Sequence, residues 1–598
     1  MTTYKNLEFT AARERAFEYL SRLFNVLKVA NPSPTSQWME IWSVELEVSE
    51  GNKTITIVVT VKLNPDFPLS LPSIYLSGED ITKFGYLPNI GTNGLICTFD
   101  SNTTIPNPET PEILIRSCVL QAKSIIESGL KGLDNHKKYD QEFIAYWENR
   151  YDDEDPVDCN VLSLIPDTRK SPDTITYVLL RKPLGKFSAL LYSDKESFEN
   201  IRSYLERQKV EFVEIPTFYL GQIDNLYPPF RLSNEEAIRL IETQGRLNAF
   251  KGYLASAPFL PLVVFTKVVE GRNLIFGWCH DKISTKRNKH GDGGKAKRYT
   301  RKLSSNEYQM LFSPRNGTIL VKRFSPEVFT RERLIQRTSA DYRQFEKINK
   351  LTVAVVGLGS VGSNLIPYLE AIGAVDFRLV DIDVVSIENV DRHLLGLADV
   401  GKPKTKAVRD YIQNKNPLSV VSTRESRIVE LVNLEPKFFS ACDFLFFCTG
   451  DINSEMWLLE NLQEKNLWCR PSFFIWVEPY LAGGHCVYVN PKDKISLDKL
   501  FPDNKYIYNI IANEMHDKTV FTKRESGCQT TYLPYGMANL GMFLAALFPK
   551  IIEVLEESDK SRAFSWIGNT KELISMKFKL SKFGEEAEPY SIVERQIC

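Results

Sequence analysis

A glycine-rich turn between two apolar strands constrains the fold of this 598-residue chain more than any other feature. The strand LTVAVVG leads through the turn GLGSVG into a helix, and FRLVDID follows as a second strand. This order predicts a strand–helix–strand unit with parallel strands. Gly357, Gly359 and Gly362 allow the backbone to approach phosphate at the helix N-terminus, and Asp381 ends the second strand within reach of a ribose. The motif alone fits NAD, FAD or ATP.

The residues that follow Asp381 favour ATP. The stretch VVSIENVDRHLLGLADVGKPKTKAV places Asn389, Arg392 and Lys404 just beyond the second strand, where a triphosphate is expected to lie. Attack by a carboxylate on an α-phosphate builds negative charge on the phosphate oxygens and on departing pyrophosphate. Cations and Mg²⁺ are therefore the expected catalytic devices. Arg392 or Lys404 alone is equally well explained as a surface residue in a loop. A surface location does not explain why Asn389, Arg392 and Lys404 occur together in this order.

Residues 346–598 resemble the ubiquitin-activating enzyme superfamily, which includes the bacterial adenylyltransferases ThiF and MoeB. The resemblance implies that Asp381 is the ribose-binding acid and that Asp383 is its neighbour in the same D-x-D. It also implies that Asn389 and Arg392 are the polar pair of S-x-x-N-x-x-R, with Arg392 catalytic, and that Lys404 is the lysine of G-x-x-K. We expect these residues to bind ATP.

The segment FFCTGDIN resembles the family loop that carries an aspartate for Mg²⁺ and ATP. The acid comes one place later than in the family, at Asp451, which we take as the expected Mg²⁺ ligand. An arginine finger usually precedes the first strand, and Arg331, Arg333 and Arg337 remain alternative candidates. The zinc-binding cysteines of many relatives have no counterpart among the ten cysteines, which include no C-x-x-C pair.

Cys528 is the candidate thioester residue of this region. It follows KRESG and precedes an apolar helix, a setting that can lower the pKa of a thiol and leave it accessible. A free cysteine is more often a packed small residue. Cys528, Thr530 and Pro534, with the small-residue-rich helix after them, resemble the catalytic-cysteine segment of autophagy-type activating enzymes. The resemblance implies that Cys528 is a nucleophile.

A second candidate nucleophile, Cys97, lies in the turn-rich loop FGYLPNIGTNGLICTFD. One helix, an antiparallel meander, FPLSLPSI, this loop and two closing helices together resemble a ubiquitin-conjugating enzyme over about residues 10–150. The resemblance implies that Cys97 carries a thioester and that Asn89 steadies the oxyanion during aminolysis. The histidine that the family has before Pro88 is Leu87 here.

The predicted fold class is α/β multidomain. We expect an α+β ubiquitin-conjugating-like domain over residues 1–155, a mixed α/β linker domain over 156–345, and a Rossmann-like ThiF-type adenylation domain over 346–598. The linker holds nine basic residues between Lys282 and Lys302. Because no aromatic residues alternate with these charges, a solvated loop is favoured over a nucleic-acid contact.

This domain order resembles the fused activating and conjugating proteins of type II CBASS anti-phage systems. The resemblance implies adenylation of the C-terminus of a cGAS-like nucleotidyltransferase or another carrier protein. Transfer through Cys528 and Cys97 to a target lysine then follows, and the activating domain implies a homodimer.

Composition places few further limits on function. A formal net charge of −1 removes a global electrostatic argument for nucleic acid or an anionic membrane as partner. The N-terminus shows no secretory pattern, so we expect a cytoplasmic protein. The uncharged stretch 528–548 contains Pro534 and Asn539, and we interpret it as a loop leading into a buried helix.

Three alternatives remain open at this stage. A sulfur-carrier adenylyltransferase of cofactor biosynthesis uses the third segment in the same way but does not require Cys97. An NAD-dependent oxidoreductase binds nicotinamide and is indifferent to Lys404. A non-catalytic scaffold turns over no ATP.

Overall fold

The structure is a computed structural model. It describes residues 2–29, 37–100, 103–132, 134–148, 160–167, 172–228, 230–256, 261–280, 311–330, 333–334, 351–464, 470–493, 495, 497–512, 523–524, 531–532, 535–556 and 560–597. The chain forms two compact units, one of Met1–Lys195 with Val210–Arg333 and the other of Glu196–Lys209 with Leu334–Cys598. The basic loop 282–302 and Cys598 lie outside the described residues.

The first unit begins with an antiparallel meander covered by helices, as the sequence predicts. Its elements are α1 Thr2–Ser21, β1 Val26–Lys28, β2 Glu40–Glu50, β3 Lys53–Leu63, β4 Ser73–Leu76, α2 Gly78–Phe84, β5 Leu95–Ile96 and α3 Pro111–Lys131, with the strands in the order β1-β2-β3-β4-β5. Alternate residues of β2 and β3 are buried, which is the period of a sheet with one face covered. Leu87 is also buried.

Two sheets follow in the same unit. The first has the order β14-β6-β8-β7-β9 and consists of β6 Asn160–Ser163, β7 Thr176–Leu184, β8 Phe187–Tyr192, β9 Phe212–Pro216 and β14 Glu327–Val328. The second has the order β10-β11-β12-β13 and consists of β10 Phe218–Gln222, β11 Leu262–Val269, β12 Arg272–Cys279 and β13 Lys322–Phe324. Helices α7 Asn234–Thr243, α8 Leu247–Ser256 and α9 Pro314–Gly317 accompany them.

Two short helices, α4 Asn135–Gln141 and α5 Phe143–Glu148, pack away from the N-terminal core. Phe143 and Trp147 belong to a hydrophobic cluster with Phe230, Phe265 and other residues of the following segment. The Trp147 indole N–H also donates to the Phe324 carbonyl at 3.1 Å. The boundary predicted near residue 155 therefore does not separate two cores, because the closing helices fill the core of the segment after it.

The second unit contains the predicted strand–helix–strand motif within an eight-stranded sheet of order β17-β16-β15-β18-β19-β20-β23-β24. The strands are β15 Leu351–Val356, β16 Ala374–Val380, β17 Val420–Arg424, β18 Phe444–Phe447, β19 Ser472–Val477, β20 Gly483–Val489, β23 Arg562–Ile567 and β24 Ile592–Gln596. A separate ribbon pairs β21 Lys523–Arg524 with β22 Thr531–Tyr532. The five strands from β17 to β19 are parallel, as in a Rossmann-like fold.

The helices of this unit are α6 Lys195–Arg207, α10 Ser360–Ala371, α11 Lys404–Lys415, α12 Ile428–Leu434, α13 Ile452–Glu464, α14 Leu497–Leu500, α15 Met537–Glu556, α16 Thr570–Ser575 and α17 Lys582–Glu586. Helix α6 comes from the predicted linker, yet the Tyr204 hydroxyl donates to Asn414 Oδ1 at 3.1 Å. By length and composition α15 could span a membrane. One face of α15, including Phe543 and Leu547, is instead buried in the core of this unit, in agreement with the buried helix that the sequence predicts.

We predict that Trp147→Ala opens the core of the middle segment, which is the part of the first unit after residue 155. Removing the buried indole leaves a cavity and an unpaired carbonyl, which costs about 3–5 kcal/mol. Hydrogen exchange followed by mass spectrometry should show faster exchange in β11 and β12, whereas Ile144→Ala on the exposed face of α5 should change little. Loss of protection confined to the N-terminal sheet would instead support a domain boundary near residue 155.

Candidate nucleotide and thioester sites

The glycine-rich turn connects β15 to α10 with almost no room for side chains on its inner side. Gly357 has φ +84°, and a Cβ there would lie 2.7 Å from the backbone of Cys448 and Thr449. A Cβ on Gly362 would collide with the carbonyl oxygen of Gly357. A Cβ on Gly359, the N-cap of α10, would meet open space. Two glycines therefore allow internal packing, and the third leaves the helix N-terminus open to a ligand.

The Asp381 carboxylate joins this turn to the end of β16. One oxygen accepts a hydrogen bond from the Leu358 N–H at 2.6 Å, and the other accepts one from the Asp383 N–H at 2.8 Å. Each carboxylate oxygen can accept more than one hydrogen bond, so these contacts orient Asp381 while leaving acceptor capacity for a ribose hydroxyl.

A cavity of about 600 Å³, the nucleotide cavity, opens at the carboxyl ends of the parallel strands. Its lining brings together four residues that the sequence predicts for cofactor binding, namely Gly357, Asp381, Asp383 and Asp451. Ligands of open parallel sheets bind at this edge, and the volume suits a nucleotide. The lining also includes Arg427, which the sequence reasoning missed although it follows the parallel strand β17.

Lys404 lies beside this cavity through Asp383. Its ammonium group is 2.9 Å from the Asp383 carboxylate, and its side chain is 9% exposed while that of Asp383 is 64% exposed. Lys404 is thus a buried cation whose exposed partner belongs to the cavity lining.

Asn389 and Arg392 lie outside the lining of the nucleotide cavity, as far as the described residues show it. Asn389 Oδ1 accepts the Ser386 N–H at 3.1 Å and so caps a short 3₁₀ turn over Ile387–Asn389. The Arg392 guanidinium lies 5.1 Å from the centroid of the Tyr535 ring. Asn389 thus stabilises the loop conformation, and the positive charge of Arg392 lies next to the Tyr535 ring.

Asp451 begins helix α13 at the edge of the nucleotide cavity. Its carboxylate accepts from the Ser454 hydroxyl at 2.6 Å, and Glu455 Oε1 accepts from the Thr449 hydroxyl at 2.7 Å. Burial raises the pKa of Glu455 to about 7, although its bonds to Thr449 act in the opposite direction. No group of three or more His, Cys, Asp or Glu side chains in the described ranges is arranged to hold a metal ion. One carboxylate next to nucleotide phosphates is nevertheless a normal environment for Mg²⁺.

A second cavity, of about 300 Å³, lies further along the same sheet edge. Its lining consists of Tyr480, Tyr535, Gly536, Asn539, Asn569, Glu572, Leu573 and Met576. Tyr535 belongs to this lining, and its hydroxyl shares a hydrogen bond with Ser360 in the first turn of α10. Tyr535 therefore connects the second cavity to the glycine-rich turn and to Arg392.

Cys528 lies outside the described residues, as do Arg331 and Arg337. The strands that flank Cys528, β21 and β22, are paired antiparallel. Arg333 is described, and its backbone N–H donates to the Thr330 hydroxyl at 3.4 Å.

Cys97 is exposed and directly follows β5, whereas Cys118 is buried on α3. The Cys97 N–H donates to the Asn89 carbonyl at 2.9 Å, so the two candidate residues are held together by the backbone. Although Cys97 is exposed, partial loss of water around Sγ and the carboxylate of Glu142 raise the pKa of its thiol above the usual value.

Asn89 is fixed by two residues that the sequence reasoning did not select. Its side-chain amide donates to Glu142 Oε1 at 2.8 Å, and its backbone N–H donates to the Tyr146 hydroxyl at 2.6 Å. Glu142 directly precedes α5 and Tyr146 lies within it, and only their four-residue spacing in QEFIAYW is visible in the sequence.

Both regions are similar to known protein families. Residues 331–581 match the ThiF family, and residues 35–155 match the prokaryotic E2 family B. Ubiquitin-like modifier-activating enzyme 5 of Caenorhabditis elegans is 26% identical over 208 residues, covering 34% of this chain and 47% of that protein. The molybdopterin-synthase adenylyltransferase of Salmonella typhimurium is 34% identical over 89 residues, covering 15% of this chain and 36% of that protein.

The chain thus spans less than half the length of each of these two relatives. Among solved structures, Escherichia coli MccB with ATP aligns with a TM-score of 0.29 and 13% identity, covering 42% of this chain and 66% of that chain. The two family matches show that one polypeptide contains a segment similar to the ThiF family and, before it, a segment similar to the prokaryotic E2 family B.

Proposed function

We propose that this protein is an ATP-dependent enzyme that activates the C-terminus of a carrier protein and conjugates it to an amine. The observation that carries the proposal is the presence, in one chain, of a ThiF-family segment with a nucleotide cavity and an E2-family segment with an exposed cysteine. An activating module makes the acyl group reactive, and a conjugating module delivers it.

The proposed first step is adenylation. A carrier carboxylate attacks the α-phosphorus of ATP, so that a carboxyl–phosphate bond forms and the bond to pyrophosphate breaks. Lys404 and Arg427 supply positive charge near the nucleotide cavity, and the open N-terminus of α10 supplies backbone N–H groups. Asp451 would hold Mg²⁺ together with the phosphates, and the bound metal would neutralise charge on the nucleotide.

The second cavity suits the carrier's C-terminal residues. Asn539 and Asn569 offer amide groups that can pair with an extended peptide backbone, and Leu573 and Met576 offer apolar surface. Since Tyr535 joins this cavity to Arg392 and the glycine-rich turn, a peptide bound there can place its carboxylate next to the α-phosphate.

The proposed second step is a thioester relay. The Cys528 thiolate attacks the acyl adenylate and displaces AMP, and Cys97 then takes the acyl group by thioester exchange. An amine finally displaces Cys97, forming an amide. The order follows from chemistry, because an acyl adenylate exists only where ATP is bound, and Cys528 belongs to the ThiF-family segment.

We further propose that the carrier is a cGAS-like nucleotidyltransferase, that the targets are protein lysines, and that the enzyme acts as a cytoplasmic homodimer in anti-phage defence. The resemblance of the domain order to type II CBASS proteins supports these assignments. A sulfur-carrier adenylyltransferase remains the alternative and leaves Cys97 without a role.

We predict that Lys404→Ala lowers carrier-dependent exchange of labelled pyrophosphate into ATP by roughly a hundredfold or more, because a preorganised charge is removed from the transition state. Lys402→Ala is the matched control, because Lys402 lies two positions before Lys404, is exposed and pairs with Asp399. Equal exchange in both variants would refute the role of Lys404. Binding of NAD but not ATP would refute adenylation.

The relay predicts different results for the two cysteines. Cys528→Ala should abolish reducible carrier adducts on the whole chain while sparing pyrophosphate exchange. Cys97→Ala should let an adduct accumulate on Cys528 and block the final amide, and Cys118→Ala should behave like the parent protein because Cys118 is buried. Non-reducing gels of reactions with carrier, ATP and Mg²⁺ report these adducts. Loading of Cys97 in the Cys528→Ala protein would contradict the relay.

The electrostatics of Cys97 generate a prediction that needs no carrier. Glu142→Gln removes a negative charge that disfavours the thiolate, so the pKa of Cys97 should fall and more thiolate should be present near neutral pH. Mass spectrometry should then show faster alkylation of Cys97 by iodoacetamide, with the rate–pH curve shifted to lower pH. Glu148→Gln, an exposed change at the end of α5, is the control. An unshifted curve for Glu142→Gln would contradict this account of the thiol.

A further inference from the structure

Asn89 adopts a backbone conformation that needs support. Its φ of +63° is in the left-handed region, where asparagine is tolerated but not strongly favoured. The support comes from the Tyr146 hydroxyl, which accepts the Asn89 N–H, and from the Cys97 N–H, which donates to the Asn89 carbonyl. The backbone of Asn89 is thus held from both sides.

The side chain of Asn89 is held by Glu142, which directly precedes α5. Glu142 Oε1 accepts from the Asn89 amide at 2.8 Å, and Glu142 Oε2 accepts from the Tyr146 hydroxyl at 2.8 Å. Burial raises the pKa of the Tyr146 hydroxyl, so it stays protonated and can donate to the carboxylate at neutral pH. Asn89, Glu142 and Tyr146 form a closed network of three hydrogen bonds.

We propose that Glu142 and Tyr146 are positioning residues that orient Asn89 for acyl transfer from Cys97. This inference rests on the proposed function of Cys97 as an acyl carrier. An amide nitrogen has two hydrogens, and donating one to Glu142 fixes the rotamer and leaves the other for the acyl oxygen. A donor that is already oriented stabilises an oxyanion without reorganisation during the reaction.

The middle segment keeps Glu142 and the start of α5 in place. The buried ammonium of Lys267, on β11, lies 2.8 Å from the Asp140 carboxylate and 5.0 Å from the centroid of the Phe143 ring. Together with the burial of Trp147, these contacts fix the chain on both sides of Glu142. The predicted linker therefore contributes to the geometry of the Cys97 site.

Chemical acylation tests the proposal without ATP, carrier or Cys528. Thiophenyl acetate transfers an acetyl group to Cys97 of the full chain and releases thiophenol, and Nα-acetyl-lysine is then added. In the measured step the acetyl carbon–sulfur bond breaks, an amide bond forms, and the proton lost by the amine is balanced by protonation of the Cys97 sulfur. Mass spectrometry of the Cys97 peptide gives the rate.

Two variants that lack the Glu142 charge isolate the hydrogen bond. Glu142→Gln keeps an oxygen that can accept from Asn89, whereas Glu142→Ala does not. We expect aminolysis to be about tenfold faster in Glu142→Gln than in Glu142→Ala when Asn89 is present. In an Asn89→Ala background, itself slower by roughly a hundredfold, the ratio should fall to about one, since Glu142 acts through Asn89.

The ratio of the aminolysis rate of Glu142→Gln to that of Glu142→Ala is compared with and without Asn89. An equal ratio in both backgrounds would overturn the proposal, because Glu142 would then act on the fold or directly on Cys97. A ratio near one in both backgrounds would overturn it as well. Equal melting temperatures and equal S-acetylation across the four variants show that folding is unchanged. Failure of the full protein to load Cys97 from ATP and carrier would contradict the proposed function instead, which this assay does not require.

Discussion

The Asp381 carboxylate connects the two parts of the nucleotide site that are distant in sequence. It accepts one N–H from the glycine-rich turn and another from Asp383, and the Asp383 carboxylate in turn faces the ammonium of Lys404. The turn can approach this carboxylate only because Gly357 and Gly362 have no side chains. The acid thus sets the spacing between the open helix N-terminus and the cation, and these two features make the cavity suitable for a triphosphate.

A second constraint organises the Cys97 site. The helices that close the segment similar to the prokaryotic E2 family B bury Phe143 and Trp147 in the core of the middle segment rather than against the meander. Because Glu142 directly precedes Phe143 in the chain, these buried side chains hold its carboxylate where it accepts from the Asn89 amide. The loop around Asn89 is thus held by contacts to the part of the chain that follows the meander.

Local patterns in the sequence were sufficient to predict the main elements. Three local patterns each predict the structure of the residues that form them, and the structure confirms all three. They are the alternation in β2 and β3, the glycine-rich turn and the apolar strand β15. Contacts between distant segments left no such trace. The position of Arg392 beside Tyr535, and the bond from Asn89 to Glu142, depend on tertiary packing that no spacing encodes. The roles predicted for Cys528 and Cys97 remain predictions.

Rapid-quench kinetics tests the central claim, that one chain activates an acyl group and then passes it between its two modules. The protein is mixed with carrier, ATP and Mg²⁺, and the acyl adducts on Cys528 and Cys97 are quantified over time by mass spectrometry of the two peptides. The account predicts that the Cys528 adduct appears first and that the Cys97 adduct rises after a lag as the Cys528 adduct declines. Appearance of the Cys97 adduct without a lag, or of a Cys528 adduct that never decays into one on Cys97, would contradict it.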